Sequence, residues 1–136
     1  MIEYYNNVHT MTSDNLTGFF AGWASPPSSE KLYQLLAHSP HKIVAADSQT
    51  GNVVGFIYAI SDGTLSAYIP LLEVLPAYRQ RGIGSELLKR LLDELSGYYM
   101  VDLCCDAELA PFYSRFGMKP AVGMIRRNDS MQSGRD

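Results

Sequence analysis

The chain has 136 residues, of which 46% are hydrophobic and 18% are charged. This balance is typical of one globular domain with a hydrophobic core and excludes a disordered chain. The formal net charge of −3 excludes the global positive field on which nucleic-acid binding depends. The longest apolar run, Val53 to Ile60, is too short to cross a bilayer and no secretion signal is visible, so we expect a cytoplasmic protein without a membrane partner.

The first half of the chain predicts mainly antiparallel strands. Its predicted elements are, in chain order, a strand at 2–5, a helical or loop segment at 13–23, a helix from about 29 to 38, and strands at 43–46, 53–60 and 65–75. Polar turn residues join the last three strands, so we expect them to form a meander. Pro70 predicts a bulge or an edge position within the third of them.

The second half is dominated by one amphipathic helix that begins at Ile83 and ends before Gly97. Its apolar stripe consists of Ile83, Leu87, Leu88, Leu91, Leu92 and Leu95. The elements predicted after it are a strand at 98–105, a short helix from Pro111 to about Phe116, one or two short strands within 118–127, and a frayed polar tail at 128–136.

Cys104 and Cys105 are the only cysteines, and they are adjacent. A bond between them would be strained and could not join distant parts of the fold, so we expect reduced, buried strand cysteines. The three histidines complete no recognisable ligand spacing with a thiol or carboxylate, so we expect no metal site.

The segment between the third meander strand and the long helix has the composition of a phosphate site. The N-terminus of a helix presents unpaired N–H groups and partial positive charge, and glycines let a ligand approach the backbone closely. Four of the eleven basic residues lie here, namely Arg79, Arg81, Lys89 and Arg90. Neither the P-loop nor the dinucleotide fingerprint is complete, and the loop alone leaves a phosphate site and a simple tight turn both open.

Arg79-Gln80-Arg81-Gly82-Ile83-Gly84 after a strand resembles the cofactor motif of the GNAT superfamily of N-acetyltransferases, Arg/Gln-x-x-Gly-x-Gly/Ala. The strand at 72–78 and the helix ending at 111–118 resemble that family too, so the likeness covers about Val53 to Met124. It implies an α+β fold in one domain, residues 1–127, with a mixed, mostly antiparallel sheet flanked by helices and a polar tail at 128–136.

The resemblance also implies that the cosubstrate is acetyl-CoA. Val74 and Leu75 would pair with its pantetheine arm as if the arm were an added strand. The remaining cofactor-binding residues would hold the pyrophosphate at the helix N-terminus: Arg79, Gln80, Arg81, Gly82, Ile83, Gly84 and Ser85. The implied reaction is acetyl transfer to a primary amine of a small molecule or peptide by direct attack in a ternary complex. The alternative is a non-catalytic acyl-CoA-binding sensor or interaction module.

Two residues are candidates for catalysis. Glu73 would take the proton of the amine, directly or through water, if burial on the face of Leu71 and Leu75 raises its pKa. The other interpretation of Glu73 is a strand carboxylate held by an arginine or a backbone N–H. Tyr113 matches the family's tyrosine that protonates the leaving thiolate, and its alternative role is core packing. A homodimer is compatible with a short last strand and an exposed sheet edge.

Overall fold

The computed structural model describes residues 1–136 and contains one five-stranded sheet with three α-helices. The strands are β1 (Ile2–Tyr5), β2 (His41–Asp47), β3 (Val53–Ser61), β4 (Ser66–Val74) and β5 (Met100–Leu103). The helices are α1 (Ser29–His38), α2 (Ile83–Glu94) and α3 (Ala110–Ser114), and short 3₁₀ turns lie at Ser13–Leu16, Pro76–Tyr78, Ala107–Leu109 and Asp129–Met131. The α+β class and the mostly antiparallel sheet are confirmed.

The sheet has the order β1-β2-β3-β4-β5, in which only the last pairing is parallel. That pairing covers Ser66 to Ile69 of β4 and stops there. The C-terminal half of β4 therefore has β3 on one side and no strand on the other. This leaves an opening between β4 and β5 beside Val74 and Leu75, the residues expected to pair with the pantetheine arm.

A bulge in β4 precedes this opening. Between the paired residues Tyr58–Leu71 and Ile60–Tyr68, β4 contains one residue more than β3. Pro70 lies in this extra stretch, where its missing N–H costs no ladder hydrogen bond. The bulge predicted at Pro70 is confirmed.

The core is divided by the sheet into two clusters. One cluster packs α1 and the segment 8–20 against β2 and β3, and its largest fully buried side chain is Phe56. The other packs the apolar stripe of α2 against the opposite face. Gly55 of β3 lets α2 approach, since a Cβ there would lie 3.1 Å from Leu87 Cδ1 and 3.3 Å from the Glu73 carbonyl oxygen.

Three sequence predictions for the second half are wrong. The strand predicted at 98–105 is reduced to β5, because Tyr98 and Tyr99 still belong to the turn after α2. Cys104 and Cys105 therefore follow the strand and are both exposed rather than buried. No strand forms within 118–127, since this stretch finds no neighbouring strand in its own chain.

The tail at 128–136 lies against the N-terminal half of the molecule. The Gln132 side chain accepts a hydrogen bond from the Ser25 N–H at 2.6 Å, and Lys31 Nζ of α1 donates to the Gly134 carbonyl at 3.2 Å. The boundary at residue 127 between domain and tail stays a prediction.

Candidate active site

The loop between β4 and α2 brings unpaired backbone N–H groups to one point. The first helical hydrogen bond of α2 runs from the Glu86 N–H to the Gly82 carbonyl at 3.1 Å. The N–H groups of Ile83, Gly84 and Ser85 precede that bond, and no side chain caps this end of the helix. These groups are free to donate to an anion.

Two residues with positive φ shape this loop. Gln80 has φ 64° and Gly82, the N-cap residue of α2, has φ 81°. Glycine adopts this conformation without strain, and a Cβ on Gly82 would meet no atom within 4 Å. The requirement for glycine at 82 is therefore conformational and leaves open space in front of the helix.

A chain of side-chain contacts holds the same loop against the sheet. The Arg81 guanidinium lies over the Tyr78 ring at 5.0 Å, and the Tyr78 hydroxyl donates to Asp47 Oδ2 at 2.8 Å. Hydrogen bonds from the Gln49 N–H and, secondarily, from the Tyr78 hydroxyl keep the pKa of Asp47 below its ordinary value. Sequence reasoning missed Tyr78 and Asp47, because they are 31 positions apart and no local pattern connects them.

Val74 and Leu75 lie at the end of β4, beside the opening. The Leu75 N–H donates to the Val54 carbonyl of β3 at 2.8 Å, so this amide is used within the sheet. The Val74 carbonyl instead accepts from Arg79 Nε at 3.0 Å. The Val74 carbonyl is thus a backbone acceptor on the side of β4 that faces away from β3. In this structure the flexible Arg79 side chain occupies it.

Glu73 lies on the face of β4 that packs toward α1. Its neighbours Leu71 and Leu75 pack against the α1-side cluster, as predicted from strand alternation. Its carboxylate accepts the Phe20 N–H, with distances of 2.8 Å to Oε2 and 3.1 Å to Oε1. Burial raises the pKa of Glu73, against the opposing effects of the Phe20 and Ala21 N–H groups and of Arg79.

Tyr113 approaches the opening from the other face. It lies on α3 and packs with Leu72 and Val74 against the α2-side cluster. Burial raises the pKa of its hydroxyl, and the nearby Cys105 thiol acts in the same direction. The hydroxyl makes no side-chain hydrogen bond in the structure, so it is available to a ligand.

Gly84 connects the loop, the strand and α3. A Cβ built on Gly84 would lie 3.9 Å from Val74 Cγ2 and 4.0 Å from Phe112 Cζ, which is ordinary van der Waals contact. The structure therefore brings the N-terminus of α2, the end of β4 and the helix of Tyr113 around one opening. Glu73 reaches this region from the α1 side, where the buried rings of Phe19 and Phe20 belong to the core and also line a cavity beside α1.

This geometry fits an extended ligand with a pyrophosphate and amide groups. Uncapped helical N–H groups suit the pyrophosphate, and a strand without a neighbour suits the amides. No three His, Cys, Asp or Glu side chains come together in a way that could hold a metal ion. None of the helices is both long and apolar enough to cross a bilayer.

Comparison with known proteins identifies relatives over nearly the whole chain. A proposed acetyltransferase from Deinococcus radiodurans R1 is 43% identical, with a TM-score of 0.95 over 99% of this chain and 94% of that one. A GNAT-family acetyltransferase from Streptococcus pneumoniae TIGR4 is 32% identical, with a TM-score of 0.74 over 94% and 98%. Glucosamine-6-phosphate N-acetyltransferase from Arabidopsis thaliana shares the fold at 14% identity, with a TM-score of 0.65 over 94% and 98%.

The model of the acetyltransferase (GNAT) family matches residues 8–118, which include β2 to β5 and all three helices. This agreement favours an enzyme over the alternative of a non-catalytic coenzyme-binding module. The loop motif at 79–84, the sheet topology and the opening beside β4 all agree with this family match. The chain belongs to the GNAT family of acetyltransferases.

Proposed function

We propose that this acetyltransferase uses acetyl-CoA and transfers the acetyl group to a primary amine by direct attack in a ternary complex. The observation that carries the proposal is the opening beside β4, which the uncapped N-terminus of α2 adjoins. Acetyl-CoA would supply an acetyl group activated as a thioester. The chain's own residues bind it, exclude water and move two protons.

The pyrophosphate binds at the loop that precedes α2. The N–H groups of Ile83, Gly84 and Ser85 lack helical acceptors and point toward the helix N-terminus, with those of Gln80, Arg81 and Gly82 immediately before them. A phosphate there also gains from the partial positive charge of the helix end. The Arg79 and Arg81 guanidinium groups add local attraction in a chain whose net charge is negative.

The pantetheine arm lies along the free side of β4. The Val74 carbonyl accepts an amide N–H of the arm. Leu75, the residue that follows β4, lies beside the arm as well. Because Arg79 Nε now donates to that carbonyl, the arginine leaves Val74 when the arm binds. This exchange loses no hydrogen bond at Val74 and frees the guanidinium to turn toward the phosphates.

The chemistry needs one base and one acid. An ordinary alkyl ammonium has a pKa near ~10.4, so a group of the enzyme must remove its proton before attack. Glu73 takes that proton, directly or through a water, and its raised pKa makes it a stronger base than an exposed glutamate. Tyr113 donates its hydroxyl proton to the leaving thiolate, and its raised pKa keeps that proton in place at neutral pH.

The direct test is release of free thiol from acetyl-CoA across a panel of primary amines, with alcohols of the same carbon skeleton as control acceptors. The proposal predicts turnover with amines only, and a rate that rises with pH as the neutral fraction of the amine grows. Turnover with the alcohols alone would contradict an amine acceptor.

The cytoplasmic location stays a prediction.

A further inference from the structure

Two free thiols lie where the opening between β4 and β5 begins. The parallel pairing of these strands ends at Ile69 and Leu103, and Cys104 and Cys105 are the next residues on the β5 side. Both cysteines are exposed, and neither forms a disulfide. An oxidant or a ligand in the opening can therefore reach them from solvent.

Cys105 lies on the face of the sheet that carries Tyr113. The side chains of Val101 and Leu103 pack against the α2-side cluster, and Tyr113 packs against the same cluster. Because side chains alternate along an extended chain, Cys105 continues the phase of Leu103. Its thiol is close enough to the Tyr113 hydroxyl to add to the effect of burial, which raises the pKa of that hydroxyl.

Cys104 has different neighbours. The residues on either side of Tyr68, Ala67 and Ile69, belong to the α2-side cluster, so Tyr68 lies on the opposite face of β4. The Cys104 thiol lies at the Tyr68 hydroxyl, and the interaction between them is the main cause that raises the pKa of Tyr68. A Cβ on Gly123 would lie 3.4 Å from Cys104 Sγ. Only Cys105 thus shares a face with Tyr113.

The proposed reaction brings a third sulfur to Tyr113. If Tyr113 gives its proton to the leaving thiolate, the free thiol of the product coenzyme A lies beside the Tyr113 hydroxyl until it is released. Cys105 lies beside the same hydroxyl. A disulfide between Cys104 and Cys105 is disfavoured instead, since adjacent cysteines form a strained ring and these two side chains lie on opposite faces.

We propose that Cys105 is a modification site at which a peroxide joins the chain to the coenzyme A bound in its own cosubstrate site, through a mixed disulfide. This inference rests on the proposed function, because the bound coenzyme brings its thiol to Cys105. Binding beside the target raises the effective concentration of that thiol far above its concentration in solution. The modification therefore selects coenzyme A over other cellular thiols.

The oxidation proceeds in two steps. The Cys105 thiolate attacks one oxygen of hydrogen peroxide, the O–O bond breaks, one water leaves, and the cysteine becomes a sulfenic acid. This sulfur then accepts the thiolate of the bound coenzyme, an S–S bond forms, and the sulfenic oxygen leaves as a second water. The two thiols together lose two electrons and two protons, which reduce one peroxide to two waters.

The adduct blocks the cosubstrate site in a reversible way. The nucleotide of the joined coenzyme remains at the loop before α2, so acetyl-CoA cannot enter. A thiol reductant cleaves the exposed disulfide and restores the site. The chain thereby becomes inactive under oxidation and is protected from further oxidation at Cys105.

The test is intact mass spectrometry of the full chain under non-reducing conditions. The reduced chain is mixed with equimolar coenzyme A and a small excess of hydrogen peroxide. Wild type should gain the mass of one coenzyme A less two hydrogens, and dithiothreitol should remove it. The matched variants are Cys105→Ser, which should form no adduct, and Cys104→Ser, which should still form it.

Two ligand controls show whether the adduct forms in the cosubstrate site. Glutathione, a thiol without a nucleotide, should react at least about ten-fold more slowly at equal concentration, because no site holds it beside Cys105. Excess acetyl-CoA, whose sulfur is blocked as a thioester, should slow adduct formation by occupying the site. Calorimetry should show that the wild-type adduct binds no acetyl-CoA until it is reduced.

Calorimetric titration of the untreated chain with coenzyme A separates failure of this inference from failure of the proposed function. A chain that binds no coenzyme A overturns both. Binding without an adduct overturns this inference alone, as does an adduct that persists in Cys105→Ser or forms equally fast with glutathione. Peptide mapping of the wild-type adduct to Cys105, with protection by acetyl-CoA, supports it even if a serine variant binds coenzyme A poorly.

Discussion

The carboxylate of Glu73 on β4 accepts the backbone N–H of Phe20, 53 residues earlier in the chain, at 2.8 Å. Phe20 has φ 65°, a left-handed conformation that a bulky residue adopts only when its surroundings hold it there. Glu73 therefore fixes the turn that follows the 13–16 region on the α1 side of the opening. The same carboxylate is our candidate base. Holding the Phe20 turn and removing the amine proton therefore both depend on this one side chain.

Glu73→Gln separates these two roles through the pH profile of kcat/KM. If Glu73 is the base, activity appears as pH rises through its folded-state pKa, which burial places above the ordinary glutamate value. In the wild type, kcat/KM should then fall at acidic pH, with a midpoint above the ordinary glutamate pKa. Glu73→Gln should lower kcat about 10²-fold and should abolish this acidic fall. A variant that keeps the acidic fall would leave Glu73 with the structural role alone.

Stability gives the second readout for Glu73. Because its folded-state pKa is raised, the folded protein binds this proton more tightly than the unfolded chain does. The resulting stability is fully present below the unfolded pKa and is lost as pH rises through the folded pKa. Glu73→Ala leaves the Phe20 N–H without its acceptor and should lower the free energy of unfolding by roughly 1–3 kcal/mol in urea melts.

Tyr113→Phe tests the proposed acid. Removing one hydroxyl that makes no side-chain hydrogen bond should leave the fold and the Kd for acetyl-CoA nearly unchanged. The loss should appear in kcat, by about 10²-fold, since general acid catalysis contributes at that level. Phe112→Leu on the same helix is a control for packing around the tyrosine. Wild-type turnover in Tyr113→Phe would remove this residue from the mechanism.

The two glycines of the loop form a matched pair of variants. Gly82→Ala places a Cβ at φ 81°, which should cost about 1 kcal/mol of stability and weaken acetyl-CoA binding, because the N–H groups before the helix shift. Gly84→Ala adds a methyl group at ordinary contact distance from Val74 and Phe112 and should be tolerated. Thermal melts and titrations of both variants check the contrast, and equal losses in both would contradict it.

Trp23→Ala tests the hypothesis that the acceptor enters from the α1 side, where Glu73, the proposed base, lies. Trp23 is 37% exposed, and its ring packs against that of Phe20 with 4.8 Å between the ring centroids, next to the turn that Glu73 holds. The acceptor KM should rise several-fold more than the KM for acetyl-CoA. Tyr5→Ala, at a similarly exposed aromatic residue on β1 at the far edge of the sheet, should change neither value. Equal changes in both KM values for Trp23→Ala would contradict this placement.

Features with a local signal could be predicted from the sequence. The 3.6-residue period of α2, the hairpin turns and the loop glycines each follow from neighbouring residues, and the structure contains all of them. Pro70 likewise indicated the bulge, because a proline without an N–H cannot sit in the middle of a ladder. The expectation that a ligand pairs beside Val74 and Leu75 came from the family resemblance and not from these local signals.

Features that depend on distant contacts could not be predicted. No periodicity connects Glu73 with Phe20 or Tyr78 with Asp47, and Arg79 was assigned to phosphate without its bond to Val74. One or two short strands were expected within 118–127, but a strand forms only beside a partner. Cys104 was predicted as buried because apolar neighbours suggested a longer β5, which ends at Leu103.

The central claim is that the loop from Arg79 to Ser85 and the free side of β4 bind acetyl-CoA. Calorimetric titration of the folded chain with acetyl-CoA, with ATP as the control ligand and Gly82→Ala as the control variant, tests it most directly. We expect binding of acetyl-CoA at micromolar Kd, much weaker binding of ATP, and a weaker Kd in Gly82→Ala. A folded protein that binds no acetyl-CoA, or that prefers ATP, would contradict the claim.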